Sequence, residues 1–99
     1  MQRYILKDKK AYPCDDMDLC SQNLIEGNYR VADTYVGTTF WVSTVFLGLD
    51  HQFGRGGPPM LFETMIFGDP LDGEMLRCST WEQAETQHAA MVERVKKHV

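Results

Sequence analysis

What this chain has little of narrows its class before any motif is read. Cysteine is scarce and odd in number: Cys14, Cys20 and Cys78, with no CxxC pair. That pattern argues against a disulfide framework and against a zinc site, and it favours reduced thiols in a cytosolic compartment. Basic charge is in deficit, with 10 Lys and Arg against 14 Asp and Glu and a formal net charge of −4. Binding nucleic acid through its phosphates needs a basic face, so direct contact with DNA or RNA is not expected. An acidic surface serves solubility, and less often it meets basic partners or imitates nucleic acid. Long apolar runs are missing too. The opening MQRYILKDKK breaks a short apolar stretch with charges, which reads as neither signal peptide nor membrane anchor. With no repeat and no linker in 99 residues, a single domain over 1–99 is expected.

What is present is enough for a core: 43% of residues are hydrophobic and 11% aromatic. RYILKD and KAYPC read as a small edge hairpin. CDDMDLCSQNLIEGN reads as a helix capped by Asp15 or Asp16 and stopped at Gly27-Asn28, with Leu19, Cys20, Leu24 and Met17 on its apolar side. YRVADTYV looks like a strand with one wet face. In TFWVSTVFLGL both parities are largely apolar, as expected of a central strand covered on two sides. PMLFETMIFG behaves likewise, with Met60, Phe62 and Ile66 facing one way and Leu61, Met65 and Phe67 the other. EMLRCS is a last short strand. STWEQAETQHAAMVERVKKHV carries a helical stripe of Trp81, Ala84, His88, Met91, Val92, Val95 and Val99, opened by a capping box at Ser79 or Thr80. The fold class expected is α+β. A mostly antiparallel sheet of about four to six strands would carry the long C-terminal helix on one face, with a shorter helix near residues 15–27. If the short helix leaves the other face open, a homodimer burying Trp41, Val45, Leu47, Met65 and Phe67 is expected, because large exposed apolar patches are rare on monomers.

The unusual chemistry is concentrated between the two central strands, in LGLDHQFGRGGPPMLFETM. Asp50, His51, Phe53, Arg55 and Glu63 are the candidate residues for binding a ligand or partner. The glycines of GRGGPP let backbone amides turn towards an anion, and Arg55 could grip a phosphate or carboxylate. The same glycines also suit a long turn that needs their geometry. The loop is neither a Walker loop nor a dinucleotide fingerprint, since it joins a strand to a strand. Glu63, in an apolar setting, is either paired with an arginine or anchors the floor of a pocket under the loop. His51 invites acid–base work but belongs to no catalytic motif. His88 reads as a hydrogen-bonded core histidine, and a metal site of His51, Glu63 and His88 matches no standard ligand spacing. No cofactor is expected.

The run VSTVFLGLDHQFGRGGPPMLFETMIFG, followed by DPLDGEMLRCSTWEQAETQHAAMVERV, resembles a group of small proteins common in bacteriophage and prophage genomes. The likeness is most specific at STVFLGLDH, GPP and FETM, and covers most of the chain. It departs at Gly68, a single glycine where some of the group have two. The resemblance implies a setting, the cytoplasm of an infected bacterium, and carries over no catalytic residues. Together these features lead to an expected function of stoichiometric binding, to a host protein or to a small anionic, nucleotide-like ligand beneath residues 50–59, as in countering a host defence. The rival is a small hydrolase using His51 and Glu63, with or without a metal's assistance. If the loop is the functional surface, Arg55→Ala keeps the fold and weakens binding at least about tenfold in a titration.

Overall fold

A computed structural model describes residues 2–25, 29–50 and 56–99. Along them run β1 (Arg3–Lys7), β2 (Lys10–Cys14), α1 (Met17–Ile25), β3 (Arg30–Val36), β4 (Phe40–Phe46), β5 (Phe62–Phe67), β6 (Met75–Cys78) and α2 (Trp81–Lys96). The result is the α+β class. β1 and β2 form a two-stranded hairpin, while β3–β4–β5–β6 form a four-stranded antiparallel sheet in sequence order.

Local chemistry explains the boundaries. Asp8 and Lys9, at φ 52° and 67°, make the two-residue turn of the hairpin, whose left-handed pair suits the strand twist. The Asp16 carboxylate accepts from the Asp18 and Leu19 amides at 3.0 and 3.2 Å and caps α1. Thr80 caps α2: its hydroxyl accepts from the Gln83 backbone amide at 3.1 Å, and the Gln83 side-chain Oε1 accepts from the Thr80 backbone amide at 3.2 Å. Gly68, at φ +122°, admits no side chain, because a Cβ there would run into the carbonyl of Thr39.

α2 lies across one face of the sheet, and the core beneath it is divided. Phe40, Val42, Ile66, Leu71, Met91, Val92 and Val95 form one apolar cluster. Leu6, Phe46, Leu61, Phe62 and Ala84 form the other, which the hairpin joins through Tyr4 and Ala11. Between them runs a polar belt of Thr44, Thr64 and His88, all buried. Each of the three sits midway along its element, between residues of the two clusters.

Several expectations need correction. α1 packs on β1 and β2 and does not cover the second face of the sheet. Met17 and Leu19 are 61% and 49% exposed, so Cys20 is its buried residue among those whose side chains are described. Leu24's side chain, Gly27 and Asn28 lie outside the described residues. Leu61 is buried in the core rather than placed on the face of Met65. It precedes β5, and its amide bonds Cys78 out of the ladder's register, which turns the side chain inward. Leu47, just past the end of β4, lines a small cavity of about 90 Å³ with Cys20 and Arg3 instead of extending the Trp41 face. Val99 is exposed because α2 stops at Lys96. Among the described residues no helix is long and apolar enough to cross a membrane.

Candidate functional site

The connection from β4 to β5 is clamped at both ends. The Leu47 amide donates to Leu61 O at 2.7 Å, and the Tyr4 amide donates to Gly48 O at 2.8 Å. Leu49 bridges Arg3. The Asp50 carboxylate accepts from the Met60 amide at 3.0 Å, which ties the two arms of the connection together. Gly56 and Gly57 both have positive φ, 78° and 85°, as the turn-geometry reading of GRGGPP requires. His51, Phe53 and Arg55 lie outside the described residues.

Glu63 is paired. Its cross-strand neighbour is Arg77, whose Nε donates to the carboxylate at 3.0 Å. The pair sits on the face of the sheet away from α2. His88 sits on the other face, bonded to Thr34 and Thr44. Successive strand residues point to opposite faces, so the sheet itself separates Glu63 from His88. This overturns the drawn metal site of His51, Glu63 and His88. No group of three or more metal-ligating side chains comes together among the described residues.

The heavy-atom contacts of the polar belt leave its hydroxyl and imidazole protons to be assigned, and the fixed donor, Gln87, gives the assignment that follows. Gln87 Nε2 donates to Leu76 O and to Thr64 Oγ1, both at 3.0 Å. Thr64, having accepted, gives its proton to Thr44 Oγ1 at 2.6 Å, and Thr44 gives its own to His88 Nδ1 at 2.7 Å. His88 Nε2–H then donates to Thr34 Oγ1 at 2.8 Å. Reversed, Thr64 would accept twice and its proton would have no place in the belt. Burial pushes the imidazole below its ordinary value, with the Asp33 carboxylate pulling the other way. Two of the thiols are also held towards their uncharged form. Burial, helped by a hydrogen bond with Cys14, pushes Cys20 up to about 11, and burial also raises Cys78. All three cysteines are free.

Two surfaces remain, and neither was fully legible beforehand. The first is the open face of the sheet. Tyr35, Trp41 and Phe67 are cross-strand neighbours there, stacked with ring centroids 5.8 and 4.8 Å apart. Tyr35 is 72% exposed, Met75 43% and Phe67 39%. Arg30 lies over the Trp41 ring at 5.7 Å and pairs with Asp33 at 3.7 Å. The strand alternation already put Trp41, Val45, Met65 and Phe67 on this face. Tyr35 and Met75 needed the register as well. The second surface is a groove of about 620 Å³ between β6 and the flank of α2. Its signal in the sequence was only that EMLRCS is the last strand, and therefore a candidate sheet edge. Comparison with protein-family models, with curated proteins and with solved structures found no match.

Proposed function

We propose that this chain is a non-enzymatic binding protein that acts by stoichiometric association with a protein of its bacterial host, as in countering a defence, and that it works as a homodimer in the host cytoplasm. The observation that carries this reading is the open sheet face. Its apolar side chains have surface to bury. The chemically capable groups of the described core are used up inside the fold, Glu63 on Arg77 and His88 on two threonines. The likeness to phage proteins at STVFLGLDH, GPP and FETM supports the setting.

A second copy fits the open face better than a charged partner does. Among the described residues the charged side chains there are Arg30, Asp33, Glu63 and Arg77, two of each sign and already paired within the sheet. The face is therefore neutral on a chain of net charge −4, and two copies can meet without repulsion at the contact. Aligned packing of two such sheets would let the aromatic ladders interdigitate. Strand spacing and rise give a footprint of roughly 400 Å² per copy, at the low end for a specific interface. A micromolar dimer is expected rather than a nanomolar one.

Light scattering across roughly 1–500 µM should show the mass rising from monomer to dimer, and Phe67→Lys should hold it at the monomer. A monomer throughout, or a dimer indifferent to Phe67→Lys, overturns the assembly. Titrating a bacterial extract with the protein should saturate a complex of fixed molar ratio that survives gel filtration. Failure to form any such complex overturns stoichiometric binding.

A further inference from the structure

β6 is an edge of the sheet, and it is short, exposed and flanked by a groove. Ile66 donates to Glu74 O at 2.9 Å, and Thr64 and Phe62 pair with Leu76 and Cys78 in the same register. Bonding alternates along an antiparallel ladder, so residues 74, 76 and 78 face β5, and the amides and carbonyls of Met75 and Arg77 point out of the sheet. α2 reaches this strand through Gln87, whose Nε2 donates to Leu76 O at 3.0 Å. Leu76, on the α2 side, is 47% exposed. The groove is thus a shelf with an open backbone edge, an apolar floor at Leu76, Cys78 and Met60, and a helical wall at Thr86 and Ala90.

The charges select the occupant. Arg77 is held by Glu63 at 3.0 Å, and beyond the groove Glu74 and Arg94 hold each other through two bonds of 2.6 and 2.7 Å. Glu82, on the groove wall, makes no ion pair among the described residues. Lys9 and Lys10 line the neighbouring cavity with Glu82 but form no ion pair with it, so among the residues that line the groove itself the unpaired charge is negative. A second copy would bring another Glu82 and another net charge of −4 to the same edge, so self-pairing is disfavoured here, unlike on the neutral open face.

We propose that β6 and the flank of α2 form a strand-addition site for an extended segment of another protein, one that sets alternate apolar side chains into the groove and a basic residue opposite Glu82. The backbone edge supplies main-chain hydrogen bonds, and the groove reads every second side chain. The site rests on the binding reading above and gives it a partner chemistry. It also leaves the open face free for the dimer, so one assembly can present two such edges.

The test is selection of a displayed library of random decapeptides on the intact protein, followed by an amide NMR titration with the most enriched peptide. Enriched sequences should alternate apolar residues and carry Lys or Arg, and shifts should concentrate at Met75–Ser79 and Glu82–Ala90. Met75→Pro removes an outward amide that the sheet does not use, so it should keep the fold and weaken binding at least about tenfold. Glu82→Lys should do the same on a surface position of α2, and Ala90→Tyr should block the groove from the helix side. No enrichment, or affinity unchanged in Glu82→Lys and Ala90→Tyr, overturns the site. Peptides that map to the open face or to residues 56–60 overturn the groove while leaving stoichiometric binding intact. Failure of the extract titration removes the binding reading itself.

Discussion

Phe62→Ala is expected to lower unfolding free energy by about 3–5 kcal/mol, the range for emptying a buried aromatic site. Phe62 is 1% exposed and holds three parts of the molecule together. Its ring lies 5.4 Å from that of Phe46 on β4 and 6.3 Å, edge-on, from that of Trp81 at the start of α2. The same cluster takes in Leu6 of the hairpin. No single neighbour can relax into the space without leaving another, so a cavity persists. For a domain of this size the loss corresponds to a fall in Tm of roughly 15–30 °C. Urea unfolding at 25 °C measures it directly. Phe67→Ala is the control. That ring is on the open face, 39% exposed, and its removal from a dilute monomer should cost about 1 kcal/mol or less. If Phe67→Ala proved the costlier of the two, the assignment of the sheet faces would be inverted.

That pair of variants also shows what could be read from the sequence. Phe62 and Phe67 are five positions apart, so alternation alone puts them on opposite faces, and the same logic sorted Phe40, Val42, Thr44 and Phe46 from Trp41 and Val45. The capping box at Thr80 and Gln83 was equally plain, because its signal is local. What could not be read was which apolar face finds a cover. Alternation made β4 look covered on both sides, but α1 went to the hairpin, where the Asn23 side chain bonds the Leu6 backbone at both ends of its amide. Leu61 and Leu47 failed for a related reason. Parity counting assumes an unbroken strand, and both residues lie just outside one. The acid at Glu63 was recognisable as needing a partner. That the partner is Arg77, 14 residues on, depended on the β5–β6 register, which no local pattern states.

The two surfaces differ in how they respond to conditions. The open face is neutral and apolar, so added salt should leave the dimer nearly unchanged. The groove depends on one surface carboxylate outside any ion pair, Glu82, so peptide binding there should weaken as salt screens it. This contrast separates the two sites in a single preparation.

His88→Leu is expected to cost about 2–4 kcal/mol at pH 7.5, and the cost should shrink as the pH falls. The size comes from the belt. Removing the imidazole takes one partner from the half-buried Thr34 hydroxyl and leaves the proton of the buried Thr44 hydroxyl, which still accepts from Thr64, without an acceptor, and a buried donor that loses its acceptor finds no water to replace it. The pH dependence comes from the proton. Folding holds His88 below its ordinary value of 6.5, so between the two values the unfolded chain binds more protons than the folded one. The stability that His88 contributes is therefore complete above the ordinary value and declines as the pH drops through the lower, folded one. The belt makes the reason specific. An imidazolium carries a proton on Nδ1 as well, which meets the proton that Thr44 offers. Thr44 would have to turn towards Thr64, and Thr64 would lose the acceptor for its own. Urea titrations of both proteins at several pH values between about 5 and 8 measure the difference, which cancels the surface carboxylates common to both. Nitrogen NMR at neutral pH should show Nε2 as the protonated nitrogen. A cost that grows in acid would mean that the folded state welcomes the charge, and a proton found on Nδ1 at neutral pH would mean that the belt runs the other way.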